Sequence, residues 1–539
     1  MKRSITIIDT DVLVIGSGIA GLQAALTVAA GGKKPILVSK SPIGKANNTI
    51  LSGGGFTHAG DRFSAEEHIR KTLESGRMLN DRALVECFVK LAPEKIRALN
   101  QEGLPGHFHK IGFYFRTDAL VGGPNLSRVL VRACRQAGVV FFENVMVTDF
   151  LTADSVCLGA VGFQKRTGDF YGFRTGAVVL ATGGAGFTYA RNDNAPGTTG
   201  DGYALALEAG LELRDMEFVQ FYPLVYAGGG RCHMILPSFF ADMGRIVNRQ
   251  GEDIKEKYAL HEKPIAIVCR DGLSQALFRE IAMGNGVDGA LLLDAREADE
   301  SQMPIDDNLK ARFRKKIAYD KKPIKITPAC HHTMGGLVID TGGRTGLKGL
   351  FAAGEVAGGI HGANRMGGNA LSEGLVFGEL AALSAMEHAA SRSSEVDIRE
   401  PAEAAMQRRL RSVDPGRNES GNLGVLAARL KEVMWQKAGI IRTGSTLNEA
   451  LSVIDGMLMK LKAFSAQSPL ERCRLLGLKN AALSGRAIIL SALSRIESRG
   501  SHFRDDYPSE DPAWLKTVLV RMQEGEPRIS RIVPANEHL

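Results

Sequence analysis

Gly16, Ser17, Gly18, Ile19, Ala20 and Gly21 follow a β-branched apolar run at 12–15 and open a helix-like run. Glycine at these spacings suits a dinucleotide. The first permits a tight turn, the second lets backbone approach a pyrophosphate, and the third lets helix and strand pack closely. The helix N-terminus adds positive potential for the phosphates. The acidic residue that usually binds ribose at the end of the second strand is missing, since the sequence there is LVSK, with Ser39 and Lys40. That weighs against NAD held by the usual clasp. His331 and His332 are adjacent, but no third ligand accompanies them and no metal site is read. Cys87, Cys134, Cys157, Cys232, Cys269, Cys330 and Cys473 form no CxxC or tight cluster. Neither an iron–sulfur centre nor structural zinc is expected. An odd, dispersed set reads as reduced thiols in a cytoplasmic protein.

The elements that hold these residues follow from periodicity. Residues 11–40 read as one βαβ unit, with strand 12–15, the GSGIAG turn, helix 22–30 and strand 35–38. AVVLATGG at 177–184 reads as another strand, and GDGYALALEAG at 200–210 as a turn feeding a helix. Residues 224–334 are richer in charge and read as an insertion, after which glycine-dense sequence returns at 335–378. Beyond about 398, Leu423, Leu426, Leu430, Met434, Ala438 and Ile441 recur at helical spacing, as do Leu483, Ala487, Leu490 and Leu493. The last forty residues are polar, carry Pro508, Pro512, Pro527 and Pro534, and read as wrapping across another surface.

Composition bounds the whole. At about 150 residues per domain, 539 residues make two to four units. Hydrophobic residues at 44% and charged residues at 23% exclude a disordered or fibrous chain. The net charge of +8 suits an anionic cofactor or substrate but is too scattered for nucleic acid. Two Trp and 6% aromatics also argue against base stacking. The uncharged run 12–32 has about the length of a bilayer span. Its three glycines, with Ser17, Gln23 and Thr27, favour strand, turn and helix, and Asp9 and Asp11 do not suit a signal peptide.

LVSKSPIGKANNTILSGGGFTHAG, ATGGAGFTYA, GDGYALALEAG, TPACHHTMGG, AAGEVAGGIHGANRMGGNALSEG and ESRGSHFRDDYP occur in one order. Over about residues 9 to 515 the chain resembles the flavoprotein subunit of the succinate dehydrogenase/fumarate reductase family, which includes L-aspartate oxidase. The resemblance implies an α/β fold: a Rossmann-like, glutathione-reductase-like FAD-binding domain (1–223 and 335–390), an inserted α+β capping domain (224–334), a helical domain (398–500) and a tail (501–539). It implies FAD contacts at Gly16, Ser17, Gly18, Ile19, Ala20, Gly21, Ser39, Lys40, Ala46, Asn47, Asn48, Thr49, Gly53, Gly54, Gly55, Asp201, Glu355, Ala370 and Leu371.

It further implies hydride transfer between flavin N5 and one carbon of a C–C bond beside a carboxylate, with an arginine delivering the proton to the other carbon. Arg270, in the family's PRD position, is that arginine. His331 and Arg365 match the residues that grip the carboxylate, Arg365 by a two-point hydrogen bond. Three departures stand out. Asn48 replaces the histidine that holds flavin covalently, so FAD is expected to be non-covalent. Tyr222 replaces a substrate-binding histidine and is itself an expected substrate-binding residue, through its one hydroxyl donor. The family's TEGxRGEGG stretch becomes Pro237 to Arg245, with Arg245 as one residue able to compensate. One carboxylate clamp is thus rebuilt, and plain fumarate or succinate is not the expected substrate. The leading expectation is a fumarate-reductase-like oxidoreductase in complex with an iron–sulfur subunit, cytoplasmic or held at the inner membrane face through partners, and not itself membrane-spanning. The alternatives are L-aspartate oxidase and a flavin-bearing electron-transfer subunit without the substrate reaction.

Overall fold

Four parallel strands lie in the order Val140–Glu143, Pro35–Ser39, Ile5–Ile15, Phe170–Leu180. The computed structural model describes residues 4–115, 122–228, 234–391, 396–413 and 422–537. Along its outer side Phe170–Leu180 carries two neighbours. The antiparallel pair Val156–Gln164 and Val145–Ala153 takes its first half, and Leu350–Ala352 runs parallel to its last residues. Val12, Leu13 and Val14 are fully buried, as a strand covered on both faces requires. The first strand is longer than the run at 12–15. Residues 5–10 pair with 170–175 although their polar–apolar mixture gives no clear strand signal. The following helix, Ile19–Ala30, begins inside the glycine motif and not after it.

The inserted region is built on a five-stranded antiparallel sheet, ordered Met234–Ile235, Val219–Tyr226, Ile324–Thr333, Leu291–Asp294, Arg245–Val247. Its own apolar core gathers Leu224, Phe240, Leu273, Leu293, Phe313 and Ile326. Val219–Tyr226 and Ile324–Thr333 connect the two bodies. Val219, Phe221 and Cys330 pack into the main core, whereas Leu224 and Ile326 pack into the second. Tyr222, His331 and His332 therefore lie where the chain passes from one core to the other.

Four helices follow: Arg399–Val413, Leu423–Lys437, Gly444–Lys462 and Pro469–Ser494. The helical spacing at 483–493 falls within the last of these helices, but burial does not follow those residues. Leu483, Leu490 and Leu493 are only half-buried, while Ala481, Ala482, Ala487, Ile488 and Ile489 are buried. This helix is enclosed on several sides, and small residues mark its tightest contacts. Ile441 lies beyond its helix, on the short strand Ile441–Arg442 that pairs with Phe503–Arg504. The tail forms a hairpin, Lys516–Gln523 with Glu526–Pro534, added to the edge of Leu213–Arg214.

A buried ionic network anchors the segment before this hairpin. Arg495 Nε donates to Glu217 Oε1 at 2.6 Å, and its Nη1 donates to Glu497 Oε1 at 2.9 Å. Arg499 Nε and Nη2 donate to the two oxygens of Glu497 at 2.7 and 2.9 Å. Six cysteines are free thiols, and Cys232 lies outside the described residues. Among the described residues no helix is long and apolar enough to cross a membrane.

Candidate active site

Gly16 turns the chain at φ +115°, and a side chain there would meet the carbonyl of Ala181. Its N–H donates to Val38 O, which ties the turn to the neighbouring strand. Beside Gly18 a Cβ would find only Thr49 Oγ1, at 3.5 Å, so backbone opens onto free space. At Gly21 the added Cβ would lie 1.9 Å from Gly16 O. The three glycines thus do separate jobs: turn, opening and close packing.

The opening belongs to a cavity of about 1330 Å³ between the parallel sheet and the inserted sheet. It is lined by Gly16, Ser17, Gly18, Ile19, Ala20, Ser39, Lys40, Ala46, Asn47, Asn48, Thr49, Gly53, Gly54, Gly55, Asp201, Glu355, Ala370 and Leu371. Gly21, behind the turn, does not reach it. The helices Ile19–Ala30 and Asn369–Ala390 both begin at its wall, each after a glycine N-cap. Two helix N-termini and a lining of glycine, small residues and hydroxyls fit a pyrophosphate-bearing dinucleotide such as FAD. The wall is braced by local bonds. Ile19 N donates to Thr49 Oγ1 at 2.9 Å, and Asn47 Nδ2 donates to Ser17 O at 2.7 Å. Lys40 forms an ion pair with Asp201, whose other oxygen accepts from Asn480 Nδ2 at 3.0 Å.

At position 48 the amide is fully engaged. Asn48 Nδ2 donates to Asn194 Oδ1 at 2.7 Å and to Glu355 Oε2 at 3.2 Å, and Oδ1 accepts from Ala195 N at 2.9 Å. Burial pushes the Glu355 carboxyl above its ordinary range. Burial raises Glu373, beside it, to about 8.

The same cavity brings together Tyr222, Arg270, His331 and Arg365. Arg270 opens the helix Arg270–Ala282 and donates from Nη1 to Arg365 O at 3.1 Å. Arg365 Nη2 donates to Gln220 Oε1 at 2.9 Å. Both guanidiniums are buried, and the Nε of each finds no partner among the described residues. Among those residues no carboxylate pairs with either one; their partners are carbonyl and amide oxygens. Burial lowers Arg270 from its ordinary range. Burial, with Arg270 alongside, brings Arg365 down to about 9. Two buried cations with no carboxylate in ion-pair contact among the described residues, Asp271, Glu355 and Asp193 acting on them only from farther off, make a receptor for an anion. His331 Nδ1 donates to Asp193 Oδ2 at 2.8 Å, leaving Nε2 for the cavity. Burial and the neighbouring Arg365 keep His332 neutral, and its ring packs edge-on against His361.

Tyr222 lines the cavity as expected of a substrate-binding residue, but its hydroxyl is already engaged. The Tyr222 hydroxyl donates to Leu236 O at 2.8 Å, so its one proton is committed to backbone. Arg245 does not compensate for the lost clamp. Its side chain is 66% exposed and paired with Asp253, away from the cavity. Asp193 and Gln220 carry no signal of their own in the sequence, and Asn364, inside the GANRMGG block, donates from Nδ2 to Asp271 Oδ2 at 2.7 Å. Asp193 meets His331 across 138 positions, and no local spacing could have joined them.

Fold and site together define a two-body oxidoreductase with a dinucleotide crevice closed by an inserted sheet. Residues 11–371 match the FAD binding domain family, and 427–536 match the fumarate reductase flavoprotein C-terminal family. The chain is 33% identical to a fumarate reductase (CoM/CoB) subunit of Methanothermobacter marburgensis, covering 95% of this chain and 97% of that one. It is 31% identical to the succinate dehydrogenase flavoprotein subunit of Rickettsia bellii, covering 97% and 95%. The structure of E. coli quinol fumarate reductase FrdA superposes with a TM-score of 0.89 at 28% identity, covering 99% of this chain and 98% of that one. The protein belongs to the succinate dehydrogenase/fumarate reductase flavoprotein family. It is an FAD-dependent oxidoreductase acting on CH–CH groups.

Proposed function

We propose that Arg365 and His331 hold a substrate carboxylate while Arg270 exchanges a proton with the adjacent carbon. The observation that carries this reading is the pair of buried guanidiniums facing one cavity with no carboxylate partner among the described residues. FAD, when bound, supplies the two-electron hydride chemistry at the other carbon of the bond. Arg365 orients the carboxylate and draws charge toward it. His331, fixed through Nδ1 by Asp193, presents Nε2 to the same group. Arg270 is fixed by the Arg365 carbonyl, and burial eases release of its proton.

FAD is held non-covalently in this reading, since an amide at Asn48 does not form the bond that a histidine can. The cap corresponds to residues 224–334. Electrons pass to or from a separate iron–sulfur subunit, through which the chain is held at the inner face of a membrane. Both relatives named above carry "subunit" in their names, which supports a partner. L-aspartate oxidase gains no specific support from the site, because the rebuilt 237–245 stretch departs from it as well.

Acid precipitation of the purified protein should release FAD into the supernatant, and anaerobically reduced protein should be reoxidised by a carboxylate-bearing alkene. Flavin remaining on washed polypeptide would exclude non-covalent attachment. Fast reoxidation by oxygen with none by any alkene acid would exclude the assigned substrate reaction.

A further inference from the structure

The cap end of the cavity differs in character from the cofactor end. Beyond Arg270 its wall is formed by Leu236, Phe239, Ile267, Met303, Ile305 and Leu309. Met303 and Leu236 are buried, while Phe239 and Leu309 are half-buried against the cap core. Among the described residues the only cations lining the cavity, besides its histidines, are Lys40, Arg270 and Arg365. Lys40 is paired with Asp201 at the cofactor end. The charged lining residue beyond Arg270 is Asp306, an acid. A second carboxylate would therefore meet mainly apolar side chains, the Ser238 hydroxyl, a tyrosine hydroxyl committed to backbone and the exposed like charge of Asp306.

We infer that the substrate is an α,β-unsaturated monocarboxylic acid, or its saturated counterpart, carrying an apolar aryl or branched-alkyl substituent at C3. This rests on the assignment of Arg365, His331 and Arg270 made above and specifies what lies at the far end of the same molecule. The carboxylate sits on Arg365 and His331, which places the substituent against Leu236, Phe239 and Leu309. Burying an ionised group among those side chains without a partner is strongly unfavourable, whereas burying an apolar one is favourable. In the reducing direction the C2=C3 π bond is lost. C3 gains a hydride, whose two electrons come from the reduced flavin, and C2 gains the proton carried by Arg270. The product is the saturated acid, and Arg270 regains its proton from solvent.

The test uses the full-length protein loaded with FAD, reduced anaerobically and mixed with cinnamate, crotonate or fumarate. Calorimetric binding of the saturated counterparts to oxidised protein is measured in parallel. Cinnamate should reoxidise the flavin with kcat/KM at least about 100-fold above fumarate, because one unmatched carboxylate costs more than one lost hydrogen bond. Its saturated counterpart should bind more tightly than succinate. Phe239→Ala should raise the KM for cinnamate by about tenfold, and by less for crotonate, whose methyl group reaches less of the pocket. Fumarate equal to or better than cinnamate would overturn the inference while leaving the carboxylate and proton assignments standing. Reoxidation by none of the three would overturn both.

Discussion

Two pairs among this molecule's buried arginines are treated in opposite ways. Arg495 and Arg499 are saturated by carboxylates, sharing Glu497 between them and holding Glu217. Arg270 and Arg365 are equally withdrawn from water. Among the described residues, however, they bond only neutral oxygens, and each leaves an Nε without a partner. Two carboxylates of the site, Glu355 and Glu373, form no ion pair with an arginine among those residues either, and burial pushes both upward. A buried charge that is fully paired fixes structure, while one left without its counter-ion stores a demand that a ligand can meet. The contrast marks a site only together with the cavity, since buried Arg442 also bonds carbonyl oxygens and His502, leaves Nη2 without a partner among the described residues and does not line the cavity.

The sharpest way to break the comparison is Arg270→Ala. Turnover should fall by about 10²–10⁴-fold, as for a lost general acid, with FAD content unchanged. Arg270→Lys should not restore the rate, because a single ammonium lacks the planar fork. Turnover near wild type in the alanine variant would remove Arg270 from the chemistry.

Glu497→Ala tests the other group. It leaves Arg495 and Arg499 without their shared carboxylate and should cost about 3–5 kcal/mol of stability in denaturant titration. The counterpart, Arg365→Met, should leave stability unchanged or raise it, since the like charge beside Arg270 is removed. Affinity for the carboxylate should fall roughly ten- to hundredfold. If both substitutions destabilised equally, the distinction between the groups would fail.

Stability should also depend on pH through the site. Glu373 titrates at about 8 in the fold, whereas an unfolded glutamate titrates at about 4.3. Between those values the unfolded chain has released a proton that the fold keeps, so stability declines as pH rises toward 8. Glu373→Gln should flatten that decline, as judged by denaturation midpoints at about pH 5 and 8. An unchanged slope would show that Glu373 is not its source. The smallest effect is expected from Tyr222→Phe. It removes one hydrogen bond to Leu236 O, worth about 1 kcal/mol, and should leave kcat/KM within about threefold. A loss above about thirtyfold would mean that the hydroxyl serves the substrate after all.

Much of the site was legible because its signals are local. The glycine turn and the GANRMGG block each carry their chemistry within a few consecutive residues. What escaped is long-range. Asp193 behind His331, Gln220 on Arg365 and Glu217 on Arg495 are contacts across 138, 145 and 278 positions. Periodicity found the helix Pro469–Ser494 but not which of its residues are buried, because a helix surrounded by protein has no single apolar face to advertise.

By itself the sequence determined the βαβ turn, the inserted region, the asparagine at position 48 where a covalent flavin link would need histidine, and the residues able to grip an anion. Those depend on residue type and near-neighbour spacing, which the chain states directly. Only the tertiary structure decided that Arg245 faces solvent, that the Tyr222 proton is committed to backbone, and that apolar side chains from three separate cap segments close the far end of the cavity. Each outcome depends on which way a side chain points once two cores have packed on the same pair of strands, and that direction is set by packing at a distance.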